Sequence, residues 1–280
     1  LSRIASTPLM LGYANYLQGT DISMQSLGIV SKTGKGAFGV SIMSLDFGDI
    51  PVTTENQPEG TGADLNLSFL NIGIGYSHVF ENKVSVGILL RAVSESTTDV
   101  SSFGFAIDAG VQYVTGENDE FKFGISLRNI GSRMQFSGQG LATAATTEED
   151  RTLTLAQRAT GFEMPSMLNV GASYDFLGSV EDHRITLFGN FTANSFGRDQ
   201  IGGALEYSFR DRFFLRGGYR TDMETSELTE TPLYDGISGG VGIRVPFSKD
   251  DRSSAFSVDY AYRSTRIYDG THNIGLTVSF

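Results

Sequence analysis

The sequence predicts an all-β protein, a single 14-stranded antiparallel transmembrane β-barrel spanning residues 1–280. Three observations predict this fold. Side chains alternate between apolar and small or polar along most of the chain, the long connections between these segments all fall at odd positions in their order, and the last strand is apolar at every second position. Because successive strand side chains point to opposite faces, each segment has one apolar face and one small or polar face.

The alternation is clearest where the apolar phase runs from Phe103 to Tyr113, from Leu168 to Phe176 and from Ile237 to Phe247. After Leu127 the apolar phase shifts by one residue, which predicts a β-bulge near Asn129. Strands are predicted near 8–17, 21–32, 35–47, 65–80, 83–97, 102–115, 120–137, 164–176, 181–193, 199–210, 212–223, 235–247, 253–265 and 271–280.

The connections between strands separate by their order along the chain. Counted from the first, the even connections are short, whereas the long ones, 48–64, 138–163 and 224–234, are all odd. Bacterial outer-membrane barrels have short periplasmic turns and long extracellular loops, with both chain ends in the periplasm. We therefore expect an integral protein of the outer membrane with both termini periplasmic. The alternative, a soluble β-sandwich, would place its small and charged residues in solvent rather than in a lumen.

The composition excludes several classes of function. A net charge of −11 argues against nucleic acid as a partner, because phosphate recognition requires a basic surface. The absence of cysteine excludes disulfides, thiolate metal sites and cysteine nucleophiles. The first residue, Leu1, follows no basic or apolar leader, and from this we expect that an N-terminal segment is missing.

No residues with catalytic spacing stand out. The three histidines, His78, His183 and His272, have no metal-ligand spacing, and none is paired with a candidate nucleophile. We therefore expect no enzyme activity, no cofactor and no metal. His78 shares the apolar phase of its strand and is expected on the outer face near the membrane interface. Aromatic residues flanking the short turns predict an interfacial girdle: Tyr76, Phe80, Tyr113, Phe121, Phe176, Phe209, Phe213 and Phe247.

Charged residues occur in the inward phase of several strands. They predict an ion-pair network across the lumen, which serves either as a structural plug of paired charges or as a polar conduit for a solute. These residues are Arg91, Asp108, Arg128, Glu206, Arg216, Arg220, Arg244 and Asp259.

The final strand and several internal motifs carry a resemblance to known proteins. Apolar residues at alternate positions up to Phe280 resemble the C-terminal signal read by outer-membrane assembly machinery. The segment Ser44–Ile50, followed by Thr53–Glu55 and Pro58–Gly62, resembles the PorV/PorQ family of Bacteroidetes-type bacteria, whose barrels are related to the fatty-acid transporter FadL. The resemblance extends over the chain through Asn129-Ile130-Gly131, Phe213–Tyr219 and Asp259–Tyr262.

This resemblance implies a non-enzymatic FadL-like barrel in the type IX secretion system. PorV-like members bind the C-terminal signal domain of secreted cargo, dock on the giant translocon barrel and pass cargo to the surface-attachment machinery, while outer-membrane lipid surrounds them. Cargo recognition is then expected in the long loops. The candidate residues are Phe47, Asp49, Glu55, Pro58, Glu59, Leu141, Leu153, Leu155, Leu228, Leu233 and Tyr234.

Two other roles remain open at the level of the sequence. One is a FadL-like channel for hydrophobic small molecules, which requires an apolar pocket in the barrel and a gap in its wall. The glycine, serine and charged residues of the inward phase disfavour it. The other is an accessory barrel with a structural role in the same secretion machinery, as in PorQ-like members.

Overall fold

The computed structural model describes residues 7–81, 83–146, 151–176, 182–223, 233–248 and 254–280. Fourteen antiparallel strands close into a barrel in chain order, and the predicted fold class is confirmed. The barrel strands are β1 (Pro8–Asn15), β2 (Ser23–Thr33), β3 (Gly36–Asp46), β6 (Ser68–Phe80), β7 (Val84–Ser96), β8 (Ser101–Thr115), β9 (Phe121–Gly131), β12 (Met167–Phe176), β13 (His183–Asn194), β14 (Gln200–Phe209), β15 (Phe213–Asp222), β16 (Tyr234–Pro246), β17 (Ala255–Thr265) and β18 (Thr271–Ser279).

Two of the connections contain small hairpins. One is formed by β4 (Ile50–Pro51) and β5 (Asp64–Leu65). The other follows a 3₁₀ turn at Gln139–Leu141 and pairs β10 (Ala142–Thr146) with β11 (Thr152–Ala156). Among the described residues, no helix is long and apolar enough to cross a membrane.

The first and last strands seal the barrel. Strand β1 pairs with β18 from Pro8↔Ser279 to Asn15↔His272, and Thr7 and Phe280 exchange backbone hydrogen bonds of 3.1 and 3.3 Å at the end of this seam. Every barrel strand is thus paired on both sides. Closure satisfies the backbone polar groups of the strands internally, which a structure surrounded by lipid requires.

The register separates the side chains into two faces. Leu11, Leu27, Ile42 and Ile72 lie side by side on β1, β2, β3 and β6, and they are exposed on the outside of the barrel. One residue back along β1, Met10 begins the row Met10, Gly28, Ser41, Gly73 and Arg91, which faces the lumen. The outer face is therefore an apolar belt and the inner face is small and polar, as in membrane barrels.

The long and short connections separate by their order along the chain, as the sequence predicts. At one end of the barrel the strands are joined by short connections, of which those at 34–35, 116–120 and 210–212 lie entirely within the described residues. The opposite end carries the long connections 47–67 and 132–166. We call these the turn end and the loop end. The start of β1 and the end of β18 both lie at the turn end, because the number of strands is even.

The predicted aromatic girdle lies at the turn end. Phe80 ends β6, Phe213 begins β15 and Phe247 follows β16, and all three are exposed on the outer face. His78 is on this face as predicted, with its Nδ1 3.2 Å from the Tyr76 hydroxyl and its ring 4.8 Å from that of Phe80. Amphipathic rings of this kind are typical of the boundary between lipid and water.

The largest departure from the predicted strands is in β9 and β12. The sequence predicts strands over 120–137 and 164–176, whereas β9 ends at Gly131 and β12 begins at Met167. The register shifts between Ile107 and Ala109 of β8, so that two residues of β9 oppose one of β8, and the bulge predicted near Asn129 is confirmed. Beyond the bulge, Ile130 and Gly131 still pair with β8, and the Asn129 side chain donates to the carbonyl of Pro165 at 2.7 Å.

Candidate functional site

The candidate functional site is the lumen, whose wall is built largely of small residues. A cavity of about 710 Å³ is lined by β1–β3, β6–β9, β12 and β13. Glycines face it in adjacent strands, and the apolar side chains of Met10, Val30 and Leu89 line it. Polar and charged residues line it too, and Asp108 and Arg128 are among them. A solute in this cavity would therefore contact glycine CH₂ groups, apolar side chains, and polar and charged groups.

A second cavity of about 550 Å³ lies on the other side of the lumen. It is lined by β1, β2 and β14–β18, with Ala14, Met24 and Ala261 among its apolar residues. Arg216 and Asp259 line it as well. The two cavities together border most of the inner wall.

The first charged cluster lies on β7, β8 and β9. Asp108 accepts from Arg91 at 2.6 Å and from the backbone N–H of Asn129 at 2.8 Å, and Arg128 Nε is 3.6 Å from its other oxygen. The guanidinium of Arg91 also donates to the side-chain oxygen of Asn129. The bulge makes this possible, because Asn129 adopts a left-handed backbone with φ of 61° that turns its N–H toward Asp108.

The second charged cluster lies on β13–β17. Arg216 donates from Nε to Glu206 at 2.7 Å and from Nη1 to Asp259 at 2.6 Å, so it joins two carboxylates on different strands. Arg184 approaches Glu206 from the other side at 3.6 Å. The contact between β15 and β17 passes over Gly242 of β16, where a Cβ atom would collide with the Asp259 carboxylate.

The predicted ion pairs are present, but their geometry differs from the prediction. In the described part of the chain, the charges pair along the wall between nearby strands rather than across the lumen. A barrel of 14 strands is too wide for two opposed side chains to meet. Each charge of the two clusters is compensated by a neighbour on the wall, so the space between the clusters is left to the cavities. The predicted residues seen to pair in this way include Arg91, Asp108, Arg128, Glu206, Arg216 and Asp259.

The predicted loop residues lie in three separate connections at the loop end. In the connection 47–67, Phe47 is half-buried and the other four residues are exposed on or beside the small hairpin. In the connection 132–166, Leu141 is half-buried and ends the 3₁₀ turn, while Leu153 and Leu155 on β11 are 49% and 53% exposed. The four exposed residues of the first connection are Asp49, Glu55, Pro58 and Glu59.

The third connection differs from the expectation at its end. Leu228 lies outside the described residues, and Leu233 directly precedes β16. Tyr234 is the first residue of β16 rather than a loop residue, and the guanidinium carbon of Arg263 lies 3.3 Å from the centre of its ring. Tyr234 therefore belongs to the barrel wall.

The sequence reasoning missed several residues of the wall. Lys122 pairs with Asp175 at 2.6 Å near the turn end, and Arg184 extends the second cluster. Arg263 was missed although it stands four residues after Asp259 and thus in the same inward phase. The alternation of each strand contains this signal, because every second residue from a known inward position also faces the lumen.

Several solved structures share this barrel architecture. No protein-family model and no curated protein matches the chain. Among solved structures, "CymD monoaromatic hydrocarbon channel" aligns with a TM-score of 0.60 and 16% identity over 99% of this chain and 89% of that one. The toluene transporter TodX of P. putida aligns with a TM-score of 0.58 and 14% identity over 99% and 90%.

A FadL homologue of Pseudomonas aeruginosa aligns with a TM-score of 0.52 and 12% identity, over 99% of this chain and 88% of that one. The fold is FadL-like. At these identities the likeness establishes the FadL-like fold and leaves the function to be argued from the lumen.

Proposed function

We propose that this FadL-like barrel is an outer-membrane channel that passes small hydrophobic molecules through its lumen. The observation that carries the proposal is the cavity of about 710 Å³, with Met10, Val30 and Leu89 on its walls and glycines between them. Two structural neighbours support the same class of cargo, since they are described as a toluene transporter and as a monoaromatic hydrocarbon channel. The apolar outer belt supports the location in a membrane.

The charges of the two clusters are compatible with this role. An unpaired charge would hold water tightly and repel an apolar solute, because removing its hydration carries a large penalty. Asp108 is instead satisfied by Arg91 and Asn129, and Arg216 is satisfied by Glu206 and Asp259. These charged groups already have hydrogen-bond partners within the protein. An apolar solute that displaces water from them therefore leaves neither charge without a partner.

The proposal is tested by uptake of radiolabelled toluene into cells that lack a toluene channel of their own. Production of the barrel is expected to increase the initial rate of uptake several-fold over cells with an empty vector. Barrel levels are matched by the change in gel mobility on heating, which reports folded protein. Equal uptake with and without the folded barrel would contradict the proposal.

We further propose that the loop end faces the exterior and that the turn end, with both termini, faces the periplasm. The support is the length of the connections 47–67 and 132–166 beside the short turns of the opposite end.

A second proposed function is the PorV-like role in type IX secretion. It is supported by the sequence motifs and by the exposed Leu153 and Leu155 of β11, apolar side chains that a protein partner could cover. Affinity purification from detergent-solubilised outer membranes separates the two functions. Recovery of a very large barrel together with proteins that share a C-terminal domain favours the secretion role. Recovery of the barrel alone with a small hydrophobic ligand favours the channel.

A further inference from the structure

The inner wall near the loop end carries two arginines that form no ion pair with a carboxylate of the described residues. Arg220 is inward-facing on β15 and Arg263 is inward-facing on β17, with β16 between them. In the described part of the chain, neither guanidinium forms an ion pair, although nine other ion pairs are present.

The neighbouring pair on the same three strands shows how unusual this is. Arg216 lies four residues before Arg220 on β15, nearer the turn end. It reaches across β16 and donates a hydrogen bond to Asp259 of β17 at 2.6 Å. At the level of Arg220 the corresponding residue of β17 is a second arginine. Two positive charges on either side of one strand repel each other when the site is empty. Arg216 has the carboxylate of Asp259 as its partner, whereas Arg220 and Arg263 have no such carboxylate among the described residues.

Both arginines open onto one pocket in the wall. Its volume is about 320 Å³, and its lining includes Phe188, Asn190 and Ser238 beside Arg220 and Arg263. Ser238 stands opposite Arg263 in the ladder, and Phe188 faces the lumen from β13. The pocket thus joins two cationic groups, two neutral hydrogen-bonding groups and one aromatic ring.

The polar groups around the pocket do not remove its positive charge. Asp222 accepts a hydrogen bond from Gln200 at 2.8 Å, and within the described residues it forms no ion pair with Arg220 or Arg263. Tyr234 offers the face of its ring to Arg263 rather than a charge. Burial, with a hydrogen bond to Tyr234, raises the pKa of the Tyr16 hydroxyl to about 12, so this phenol stays neutral at physiological pH.

We propose that Arg220 and Arg263 bind the carboxylate of a small organic anion whose apolar part lies against Phe188. The planar guanidinium groups suit a carboxylate, which accepts paired hydrogen bonds from each of them. The inference deepens the proposed channel function, on which it rests, by adding an acidic head group to the hydrophobic cargo. A pocket of about 320 Å³ admits a group of the size of benzoate, and the ring of Phe188 gives its apolar part a partner.

The test uses benzoate as the probe and the purified full chain in detergent, with binding followed by isothermal titration calorimetry. Arg220→Gln and Arg263→Gln are each expected to weaken benzoate binding about tenfold or more, because each removes a charge-assisted contact. Arg212→Gln is the matched control, since Arg212 is exposed in the turn before β15. It is expected to bind benzoate like the unmodified protein. Heat-modified gel mobility verifies that each variant is folded.

Two further titrations decide what the site recognises. Inorganic phosphate at the same concentration is expected to compete poorly with benzoate, because it leaves Phe188 without a partner. Competition as strong as that of benzoate itself would overturn the organic part of the proposal. Benzoate binding that is absent, or that is equal in Arg220→Gln, Arg263→Gln and Arg212→Gln, would overturn the site.

Uptake of toluene keeps the two proposals apart. Toluene has the ring of benzoate without its charge, so its uptake by the unmodified protein and by the Arg212→Gln control reports the channel independently of the anion site. Toluene uptake without arginine-dependent benzoate binding would overturn the anion site and leave the channel standing. Arginine-dependent benzoate binding without toluene uptake would support the site and contradict the channel for uncharged hydrocarbons.

Discussion

At the residue scale, Asp108 shows how ion pairs and hydrogen bonds stabilise the charged residues of the inner wall. Its side chain and that of Arg91 are only 11% and 10% exposed, and Asp108 also receives the backbone N–H of Asn129. A buried charge that loses its partner is left without compensation. The contrast within the chain is Asp182, which pairs with Arg210 at the turn end while the two side chains are 45% and 58% exposed.

We expect Asp108→Asn to lower the free energy of unfolding by about 3 kcal/mol, because it leaves Arg91 charged and unpaired in a buried place. Asp182→Asn makes the same chemical change at the exposed pair and is expected to cost less than about 1 kcal/mol. Urea unfolding in lipid vesicles, followed by circular dichroism, measures both. Equal losses in the two variants would contradict the structural role of the Asp108 cluster.

Gly242 is the second residue whose role the structure defines. Gly242→Ala is expected to lower the free energy of unfolding by about 1–3 kcal/mol, because its Cβ would displace the Asp259 carboxylate from Arg216. Gly217→Ala is the control, since nothing lies within 4 Å of a Cβ at that position, and its effect is expected to stay within about 0.5 kcal/mol. The same unfolding measurement applies. If Gly242→Ala leaves the free energy of unfolding unchanged, the ion pair between Arg216 and Asp259 does not depend on the absence of a Cβ atom at position 242.

At this scale the sequence predicts the face of a residue and not its partner. Alternation placed Arg91, Asp108 and Arg216 inside the barrel correctly, because strand side chains have a fixed period of two. The partners depend on the register between strands and on the bulge at Asn129, and neither is contained in the pattern of one strand. For this reason the sequence predicted pairing across the lumen, whereas the pairs run along the wall.

The bulge in β9 shows at the element scale how one irregularity organises two strands and a loop. Asn129 joins Asp108, Arg91 and Pro165, so a single left-handed residue connects the charged cluster with the end of the 132–166 connection. Asparagine and glycine tolerate a φ of 61°, whereas a β-branched residue does not.

Two substitutions of Asn129 distinguish the contribution of its backbone conformation from that of its side-chain hydrogen bonds. Asn129→Gly keeps the left-handed conformation and loses the side-chain hydrogen bonds to Pro165 and Arg91, and each such bond contributes about 1 kcal/mol. Asn129→Val loses the same hydrogen bonds and adds backbone strain of about 1–2 kcal/mol. We therefore expect the free energy of unfolding to fall in the order unmodified, Asn129→Gly, Asn129→Val. A valine variant as stable as the glycine variant would contradict the left-handed bulge.

The phase shift after Leu127 was sufficient to predict this bulge, since the register must change where the apolar face changes. The hairpin of β10 and β11 was not predicted. Its strands of five residues are mostly exposed, and a short exposed pair has no buried face to produce a strong alternation. Loop structure of this kind is determined by local hydrogen bonds rather than by burial.

At the scale of the whole molecule, the account predicts an orientation. The chain contains no cysteine, so a single introduced cysteine is a unique label. Glu55→Cys in the 47–67 connection is expected to react with a membrane-impermeant maleimide on intact cells. Lys35→Cys, in the turn between β2 and β3, is expected to react only after the outer membrane is permeabilised. Labelling in the opposite order would reverse the proposed topology.

The whole fold was predictable because a closed barrel repeats one rule fourteen times. Period-two alternation and the order of long and short connections specify antiparallel neighbours, and pairing of β1 with β18 follows once the sheet closes. The cavities were not predictable, because they arise from the side chains of many strands together. Glycine and charge in the inward phase disfavoured an apolar pathway, yet pairing of the charges leaves Met10, Val30 and Leu89 around an open space.

The central claim is that small hydrophobic molecules cross through the cavity of about 710 Å³, and two tryptophan variants test it most directly. Gly87→Trp with Gly124→Trp places two indole rings in that cavity, at positions where a Cβ makes only ordinary contacts. Gly189→Trp with Gly217→Trp places the same rings on the lipid face, with nothing within 4 Å of either Cβ. We expect the cavity variant to lower initial toluene uptake several-fold and the lipid-face variant to leave it unchanged, at equal amounts of folded barrel. Unchanged uptake by the cavity variant would contradict passage through the lumen.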